Sequence, residues 1–336
     1  MRAAGTRPTM PDVARTAGVS LKTVSRVIND EAGVAAVTAE RVGRAIAELG
    51  YERNDLARSL RHGSSSGTLG LVIEDVRNPF YSAIAQAVET AARDRGLLLI
   101  TASAREDPAR EHELVTALLR RRVDALLLVP AGPDHRYVLG NGGGHVHAVF
   151  LDRPPGMIAA DTVLVDNAGG ARRGVEHLVA HGHTRIACVC DDAGLYTARE
   201  RLSGFRAALA DAGLDEDPEL VLTGNRDADE SEAAVRRLLD LPDRRRPTGL
   251  LAANNRNTVG ALRALAAHER SLALVGFDDF ELADVLGVTV VRSDPALMGE
   301  RAAARAFDRL DGDERPPQRD TIPTTLVARG SGELAP

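Results

Sequence analysis

The chain has 336 residues, of which 44% are hydrophobic and 27% are charged. That length suits two or three domains, and the composition is typical of a globular protein rather than a disordered or fibrous one. No segment approaches the roughly 20 consecutive apolar residues of a membrane-spanning helix, and the first residues lack the apolar core of a signal peptide. The sequence therefore predicts a cytoplasmic protein with no membrane partner.

Charge is distributed unevenly along the chain. Residues 1–62 contain ten Lys and Arg against seven Asp and Glu, a net charge of +3, whereas the remainder carries −9, for a total of −6. A basic first segment followed by an acidic body favours a nucleic-acid contact that is confined to the first segment.

Residues 9–50 carry the start and stop signals of three short helices. Thr9 can cap the first helix, Gly18 supplies a turn, and Ser20 offers a hydroxyl that can cap the second. Thr38 is predicted to open a third helix, which Gly50 closes. This pattern predicts a helix-turn-helix unit, with a small protein-binding helical domain as the alternative.

The second helix has an inner and an outer face. Its apolar residues at positions 24, 27 and 28 recur at helical spacing and are predicted to face the core. The outer face then consists of Leu21, Lys22, Ser25 and Arg26.

The residues of this segment resemble the DNA-binding head of the LacI/GalR family of bacterial repressors nearly position by position. The resemblance is carried by the runs TMPDVA (9–14), AGVS (17–20), TVSRVIN (23–29) and ELGY (48–51). In that family the second helix lies in the major groove, so the resemblance implies double-stranded operator DNA as a partner. It implies base contacts for Leu21, Lys22 and Arg26, and phosphate contacts for Thr9, Ser20, Thr23 and Asn29.

Residues 54–61 (NDLARSLR) resemble the hinge helix of the same family. There, paired leucines from two subunits wedge into the minor groove and kink the operator. The residues that this resemblance implies for the minor groove are Ala57, Arg58 and Leu60. The family usually has a proline where this chain has Arg53, which predicts a less rigid start of the hinge helix.

From residue 68 onward, short apolar runs alternate with amphipathic segments, in two successive sets. The predicted strands are 69–73, 97–101, 125–129 and 146–151, then 186–190, 220–223, 249–252 and 272–276. The predicted helices are 81–95 and 109–121, then 167–181, 198–212, 230–239 and 258–267. The alternation predicts an α/β fold with two similar halves, each a parallel sheet flanked by helices, and ligand sites at the carboxyl ends of strands.

Further runs in this body resemble the effector domain of the LacI/GalR family, which is similar to periplasmic sugar-binding proteins. They include NPF (78–80), FLDR (150–153), VDN (165–167), RERLSGF (199–205) and GFDD (276–279). The resemblance implies a helix-turn-helix domain at 1–52, a hinge and linker at 53–67 and an effector domain at 68–333. Because the chain crosses between the halves three times in that fold, lobe 1 is expected at about 68–162 and 291–320, and lobe 2 at about 163–290 and 321–333.

The resemblance also implies an effector site. Its residues are Phe80, Tyr81, Asp152, Arg201, Asn254 and Asp278. Carboxylates, an amide and a guanidinium at strand ends can satisfy several hydroxyl groups at once. The chain has six Phe, four Tyr and no Trp, so stacking platforms for a planar base are few, which favours a sugar over a purine.

Three stretches resemble motifs of enzymes or metal sites, but we do not interpret them in that way. The stretch 63–67 (GSSSG) matches a serine-hydrolase pattern but lacks its strand-to-helix setting, so we interpret it as a linker. The glycines at 140–144 lack the spacing of a dinucleotide loop. His177, His181 and His183 offer a zinc-like spacing, but the favoured interpretation is structural. No cofactor and no metal are predicted.

The sequence thus predicts a DNA-binding transcriptional regulator, a repressor that binds a pseudo-palindromic operator as a homodimer and responds allosterically to a small polar, sugar-like metabolite. A tetramer stays open, although the chain shows no heptad tail. The alternatives are a sugar-binding transport receptor, which has no use for residues 9–61, and an enzyme built on a doubly wound sheet.

Overall fold

The computed structural model describes residues 8–28, 31, 33–51, 66–139 and 146–336. The chain divides into two compact units, Met1–Ser66 and Gly67–Pro336, here called the head and the body. Several predictions lie outside the described residues: the phosphate contact of Asn29, the hinge residues Ala57, Arg58 and Leu60, and most of both glycine-rich stretches. Within the described parts, no helix is long and apolar enough to cross a membrane.

The described residues of the head form three helices around a small apolar core. The helices are α1 (Met10–Ala17), α2 (Leu21–Ile28) and α3 (Ala36–Leu49). Their buried side chains are Val13, Ala14, Ala17, Val24, Val42 and Ala45. The turn between α1 and α2 bends at Gly18, whose φ of 62° is in the left-handed region that favours glycine.

One boundary prediction in the head is wrong. Helix α3 begins at Ala36 and not at Thr38, because Ala35 has extended backbone and its carbonyl already accepts from the Thr38 N–H at 2.8 Å. No side-chain cap marks this start, so the sequence carried no signal for it.

In the body, the residues that the structure describes form two six-stranded sheets. The first has the order β11-β5-β4-β3-β1-β2, with every pair parallel. Its strands are β1 (Thr68–Ile73), β2 (Leu98–Ser103), β3 (Ala125–Leu128), β4 (His147–Leu151), β5 (Asp161–Val165) and β11 (Arg319–Ile322). Helices α4 (Pro79–Asp94), α5 (Pro108–Arg120) and α10 (Pro295–Leu310) accompany this sheet.

The second sheet has the order β12-β10-β9-β8-β6-β7, and only the β10–β12 pair is antiparallel. Its strands are β6 (Ile186–Val189), β7 (Val221–Leu222), β8 (Gly249–Ala252), β9 (Ala273–Phe277), β10 (Thr289–Arg292) and β12 (Thr325–Val327). The accompanying helices are α6 (Asn167–Ala180), α7 (Tyr196–Asp211), α8 (Ala228–Leu239) and α9 (Asn255–Ala266). We call the halves lobe 1 and lobe 2.

The chain crosses between the two sheets three times. Strand β5 belongs to the first sheet up to Val165, β10 to the second up to Arg292, and β11 to the first up to Ile322. Each crossing therefore lies two or three residues after the expected position. The strands that end at these crossings are short, so the sequence pattern did not separate them from loops.

Helices α6 and α7 pack closely at Gly204. A Cβ atom at this position would lie 2.0 Å from the backbone oxygen of Ala168. Because backbone cannot yield as a flexible side chain does, the helices would have to move apart.

We therefore expect Gly204→Ala to destabilise the body by about 1–3 kcal/mol, which lowers its melting temperature by roughly 2–4 °C for each kcal/mol. Differential scanning calorimetry measures this change. The control is Gly43→Ala in α3, where nothing lies within 4 Å of the added Cβ and no loss is expected. An unchanged melting temperature for the Gly204 variant would contradict the close packing.

Candidate functional site

Helix α2 presents the predicted base-reading residues on its outer side. Val24 is fully buried, whereas Leu21 is 47% exposed and Lys22 is exposed. Lys22 and Arg26 are one helical turn apart and so lie on the same face. The Arg26 side chain is 36% exposed, with Nε 3.7 Å from Oε2 of Glu31. Two cationic side chains thus lie on one face of a short helix.

Lys22 is also chemically unique in this chain. It is the only lysine, and the other 41 cationic side chains are arginines. An ammonium is a compact donor with three rotatable hydrogens, whereas a guanidinium is a rigid planar fork. The outer face of α2 therefore carries one donor of each kind.

Of the predicted phosphate-contacting residues, the three that the structure describes, Thr9, Ser20 and Thr23, lie at helix starts. The Ser20 hydroxyl accepts a hydrogen bond from the Thr23 N–H at 3.1 Å and thereby caps α2, which confirms the predicted cap. The Ser20 and Thr23 hydroxyl oxygens are 2.8 Å apart. Since only one of the two hydroxyls donates in that contact, the other keeps its hydrogen for an outside acceptor. At the start of α1, the Thr9 hydroxyl donates to the Asp12 carboxylate at 2.7 Å.

In the body, the carboxyl ends of the strands of both lobes carry a concentration of charged side chains. We define the cleft by six carboxylates and three arginines: Glu74, Asp75, Glu106, Asp152, Asp191 and Asp278, with Arg153, Arg201 and Arg256. They follow strands β1, β2, β4, β6 and β9 or lie at the lobe-2 helices α7 and α9. Such an arrangement is where open α/β sheets bind ligands.

Arg201 joins three segments of lobe 2. Its Nε donates to Oδ1 of Asn167 at 2.7 Å, and its Nη1 donates to the carbonyl oxygen of Ala253 at 2.6 Å and to Oδ2 of Asp278 at 3.3 Å. The guanidinium carbon lies 3.8 Å from the centroid of the Phe277 ring. The residue is only 5% exposed. Arg201 and Asp278, predicted separately, thus form one buried pair.

Asp278 keeps one carboxylate oxygen without a partner. Its Oδ1 is buried and makes no hydrogen bond within the described structure. Burial raises the pKa of this carboxyl, the Arg201 guanidinium opposes that shift, and the Asp152 charge in lobe 1 adds to it. The backbone of Asp278 is in the left-handed region, with φ of 66°. A buried acceptor without a partner suits a ligand that donates hydrogen bonds.

On the lobe-1 side, Tyr81 donates from its hydroxyl to Oδ2 of Asp152 at 3.0 Å. Burial, followed by the Asp152 charge, raises the pKa of Tyr81 well above its ordinary value, so this hydroxyl stays protonated and acts as the donor. The Phe80 ring packs edge-on against Tyr81, with ring centroids 5.1 Å apart. The structure therefore brings together Phe80, Tyr81 and Asp152.

Asn254 caps helix α9 and contacts an acid that was not predicted. Its Oδ1 accepts from the Asn257 N–H at 2.7 Å, and its Nδ2 donates to Oδ2 of Asp191 at 2.6 Å. Burial raises the pKa of Asp191 to about 6, and the Glu106 charge in lobe 1 acts in the same direction.

Sequence reasoning also missed the contacts that Arg153 and Arg256 make. Arg153 donates to Oε2 of Glu106 at 2.6 Å and to the Pro130 carbonyl at 2.9 Å. Arg256 of lobe 2 reaches Oε2 of Glu74 in lobe 1 at 2.9 Å. Arg153 adjoins Asp152 in the run FLDR, so its position gave a signal, whereas nothing in the sequence pairs residue 256 with residue 74.

The three histidines considered as metal ligands have separate partners. His177 contacts the Glu333 carboxylate, the Nδ1 of His181 lies 2.8 Å from the His177 carbonyl, and His183 bonds Thr248 and the Leu334 carbonyl. Across the described ranges, no group of three or more His, Cys, Asp or Glu side chains is placed to hold a metal ion.

Comparison with known proteins places these two units in one family. Residues 9–54 match the bacterial regulatory proteins of the lacI family, and residues 175–332 match a periplasmic binding protein-like domain. The HTH-type transcriptional regulator CelR of Thermobifida fusca is 36% identical, over 97% of this chain and 98% of the relative. The chain belongs to the LacI family. The ribose operon repressor of Escherichia coli K12, 33% identical over 96% of this chain and 99% of its own length, agrees with that assignment.

Solved structures of LacI-family proteins confirm the fold class. The Lac repressor dimer bound to operator and the anti-inducer ONPF has a TM-score of 0.83 and 28% identity, covering 97% of this chain and 99% of that one. The CelR–cellobiose complex has a TM-score of 0.71 and 34% identity, covering 97% and 100%. This LacI-family protein is a DNA-binding transcriptional regulator and not an enzyme.

Proposed function

We propose that this LacI-family regulator is a repressor that binds a pseudo-palindromic operator as a homodimer, and that a sugar-like molecule in the cleft controls its affinity for DNA. The observation that carries the effector part is the Arg201 network with the unpartnered Oδ1 of Asp278, a buried polar set that a donor-rich ligand would complete. The names of relatives support the ligand class, since one was solved with cellobiose and another represses a ribose operon.

The DNA-binding part assigns base reading to Leu21, Lys22 and Arg26, and phosphate contacts to Thr9, Ser20, Thr23 and Asn29. The exposed outer side of α2 supports the first assignment, and the paired hydroxyls of Ser20 and Thr23 at its start support the second for those two residues. The contacts of Thr9 and Asn29 rest on the sequence resemblance. The hinge role of Ala57, Arg58 and Leu60 rests on the sequence resemblance. Since its operator would lie on the chromosome, we place the protein in the cytoplasm.

Exposed apolar side chains support self-association. Strand β2 is an edge strand of the first sheet, and it exposes Leu98 by 74% and Ile100 by 38%. In lobe 2, Leu282, Val285 and Leu286 are 57%, 78% and 57% exposed. Edge strands and apolar patches of this kind are normally covered. A second copy of the chain would cover them symmetrically.

Control by the effector requires different affinities of the ligand for two lobe arrangements. The Arg256–Glu74 pair and the hydrogen bond from Asn255 to Asn78, 2.8 Å long, join the two lobes across the cleft. A ligand held by Asp152 on one side and by Arg201, Asn254 and Asp278 on the other would favour one lobe angle. Coupling of about 1–3 kcal/mol is typical of such control.

Amine labelling tests the DNA-binding part directly, because Lys22 carries the only side-chain amine of the chain. A duplex selected by the protein from a random pool is expected to slow acetylation of Lys22 by about 10-fold or more, since a base-contacting ammonium is shielded in the groove. Peptide mass spectrometry measures the label, and the α-amine of the chain is the internal reference. Unchanged labelling of Lys22 at saturating duplex would contradict the assignment.

A further inference from the structure

The arginines of the cleft are already committed to acceptors of the protein. Arg201 bonds Asn167, the Ala253 carbonyl and Asp278. Arg153 bonds Glu106 and the Pro130 carbonyl, and Arg256 pairs with Glu74. Each of these arginines thus already has a carboxylate partner within 4.0 Å, although Nε of Arg153 is buried without a hydrogen bond. An anionic group would compete with those carboxylates for the guanidinium groups.

The six cleft carboxylates differ in how their charge is balanced. Five of them have an arginine nitrogen within 4.0 Å: Glu74, Asp75, Glu106, Asp152 and Asp278. Asp191, in contrast, has no ion pair among the described residues, and its hydrogen bond is to the neutral amide of Asn254 at 2.6 Å. Among the described residues it is thus the one cleft carboxylate without an arginine at ion-pair distance, although the more distant charges of Arg153, Arg201 and Arg256 oppose the rise of its pKa.

The surroundings of Asp191 strengthen the effect of its negative charge on a ligand. The side chain is partly buried, two residues after the end of strand β6. Burial is the main cause of the raised pKa of Asp191, and the charge of Glu106 in the opposite lobe acts in the same direction. In the same lobe, Oδ1 of Asp278 is buried and unpartnered, and the residue is 7% exposed. Asp191 and Oδ1 of Asp278 can thus accept hydrogen bonds from a ligand. Because the cleft is partly desolvated, an added anion would be repelled by the negative potential of these groups.

We propose that Asp191 is a specificity-determining residue of the cleft, which selects effectors that present hydroxyl donors and excludes those that carry a phosphate or a carboxylate. This inference rests on the proposed function and narrows its ligand class to unphosphorylated, non-acidic polyols. Hydroxyls of such a ligand donate to Asp191 and to Oδ1 of Asp278, whereas a phosphate or carboxylate has acceptors only and repels both side chains.

Matched sugars and matched variants test the proposal. The probes are ribose with ribose 5-phosphate, glucose with glucose 6-phosphate and glucuronate, and cellobiose with cellobionate. Asp191→Asn removes the charge at nearly constant size, and an asparagine oxygen can still accept from Asn254. Asp192→Asn is the control, because Asp192 is exposed and its carboxylate caps the Gly194 N–H at 2.8 Å. Calorimetry measures sugar affinity, and the operator affinity without sugar is measured on the same samples.

We expect a neutral sugar to bind the wild-type protein about 100-fold more tightly than its anionic partner, as like-charge juxtaposition costs several kcal/mol. Asp191→Asn should narrow that ratio by about 10-fold or more, and Asp192→Asn should leave it unchanged. An anionic sugar that binds wild type as tightly as its neutral partner, or a ratio that Asp191→Asn does not alter, overturns the proposal.

Two further outcomes separate this inference from the proposed function. If no probe of either class binds while operator binding persists, the polyol class is overturned and the DNA-binding function stands. If a neutral sugar binds with the expected selectivity but the protein selects no duplex from a random pool, the proposed function fails and the role of Asp191 stands.

Discussion

Replacing Arg201 with alanine is expected to abolish the effect of any effector on operator binding while effector-free binding to the operator persists. The substitution removes the donors to Asn167, Ala253 and Asp278 at once, and it leaves a buried carboxyl without its cation. Loss of one partner from a buried pair costs about 3–5 kcal/mol in stability. The raised pKa of Asp278 reduces this cost, because the acid can take up a proton.

Operator-binding titrations with and without sugar measure the effect, and a thermal melt follows stability. Arg199→Ala is the matched control on the same helix, since the Arg199 side chain is 57% exposed. Arg201→Lys keeps the positive charge and part of the pairing with Asp278. It therefore separates loss of the effector response from loss of folding. An alanine variant that responds to effector as strongly as wild type would remove Arg201 from the effector site.

Arg26→Ala is expected to weaken binding to the selected operator more than binding to random DNA. A cationic side chain that donates to base edges discriminates against a wrong base by about 1–3 kcal/mol, which is roughly 5- to 150-fold in affinity. The residue lies on the outer side of α2, one turn from Lys22, where a major-groove contact requires it. Competition binding with selected and scrambled duplexes at fixed salt measures the ratio.

Thr23→Ala is the comparison for that experiment. Its hydroxyl lies at the start of α2 beside Ser20, so its proposed contact is to a phosphate, which every sequence offers. Affinity for both duplexes should therefore fall by about the same factor. If Arg26→Ala also lowers both affinities equally, Arg26 contacts the backbone and does not read bases.

The predictions that succeeded in the head depend on neighbours in the chain. The cap of α2 needs only Ser20 and the N–H of Thr23, three residues away, and the bend at Gly18 needs only a residue without a Cβ. The predicted start of α3 at Thr38 was wrong, because the residue before the actual start, Ala35, has no side chain that could signal a cap. Local chemistry predicts local structure and little more.

The cleft contains pairs of residues that are far apart in the chain and that local patterns do not predict. The family resemblance pointed to Arg201 and Asp278 one by one, and the structure joins them at 3.3 Å across 77 positions of chain. It did not point to the pair of Asp191 with Asn254, which are 63 positions apart, or to Arg256 with Glu74, which are 182 apart. The pair of Asp191 with Asn254 arises because parallel strands of one sheet deliver their carboxyl ends to one edge, whatever their separation in the chain. The pair of Arg256 with Glu74 arises because the strand ends of the two sheets meet across the cleft.

By itself, the sequence determined the helix-turn-helix head and the α/β alternation of the body, because caps, turns and periodicity act over a few residues, and its motifs carried the resemblance to the family. Only the tertiary structure decided which charges in the cleft are balanced. Among the described residues, Asp75 and Asp152 lie beside arginines that are their neighbours in the chain. The arginines of Glu74, Glu106 and Asp278 come from distant segments, and Asp191 has none within 4.0 Å, because those contacts depend on which side chains two separate sheets bring together.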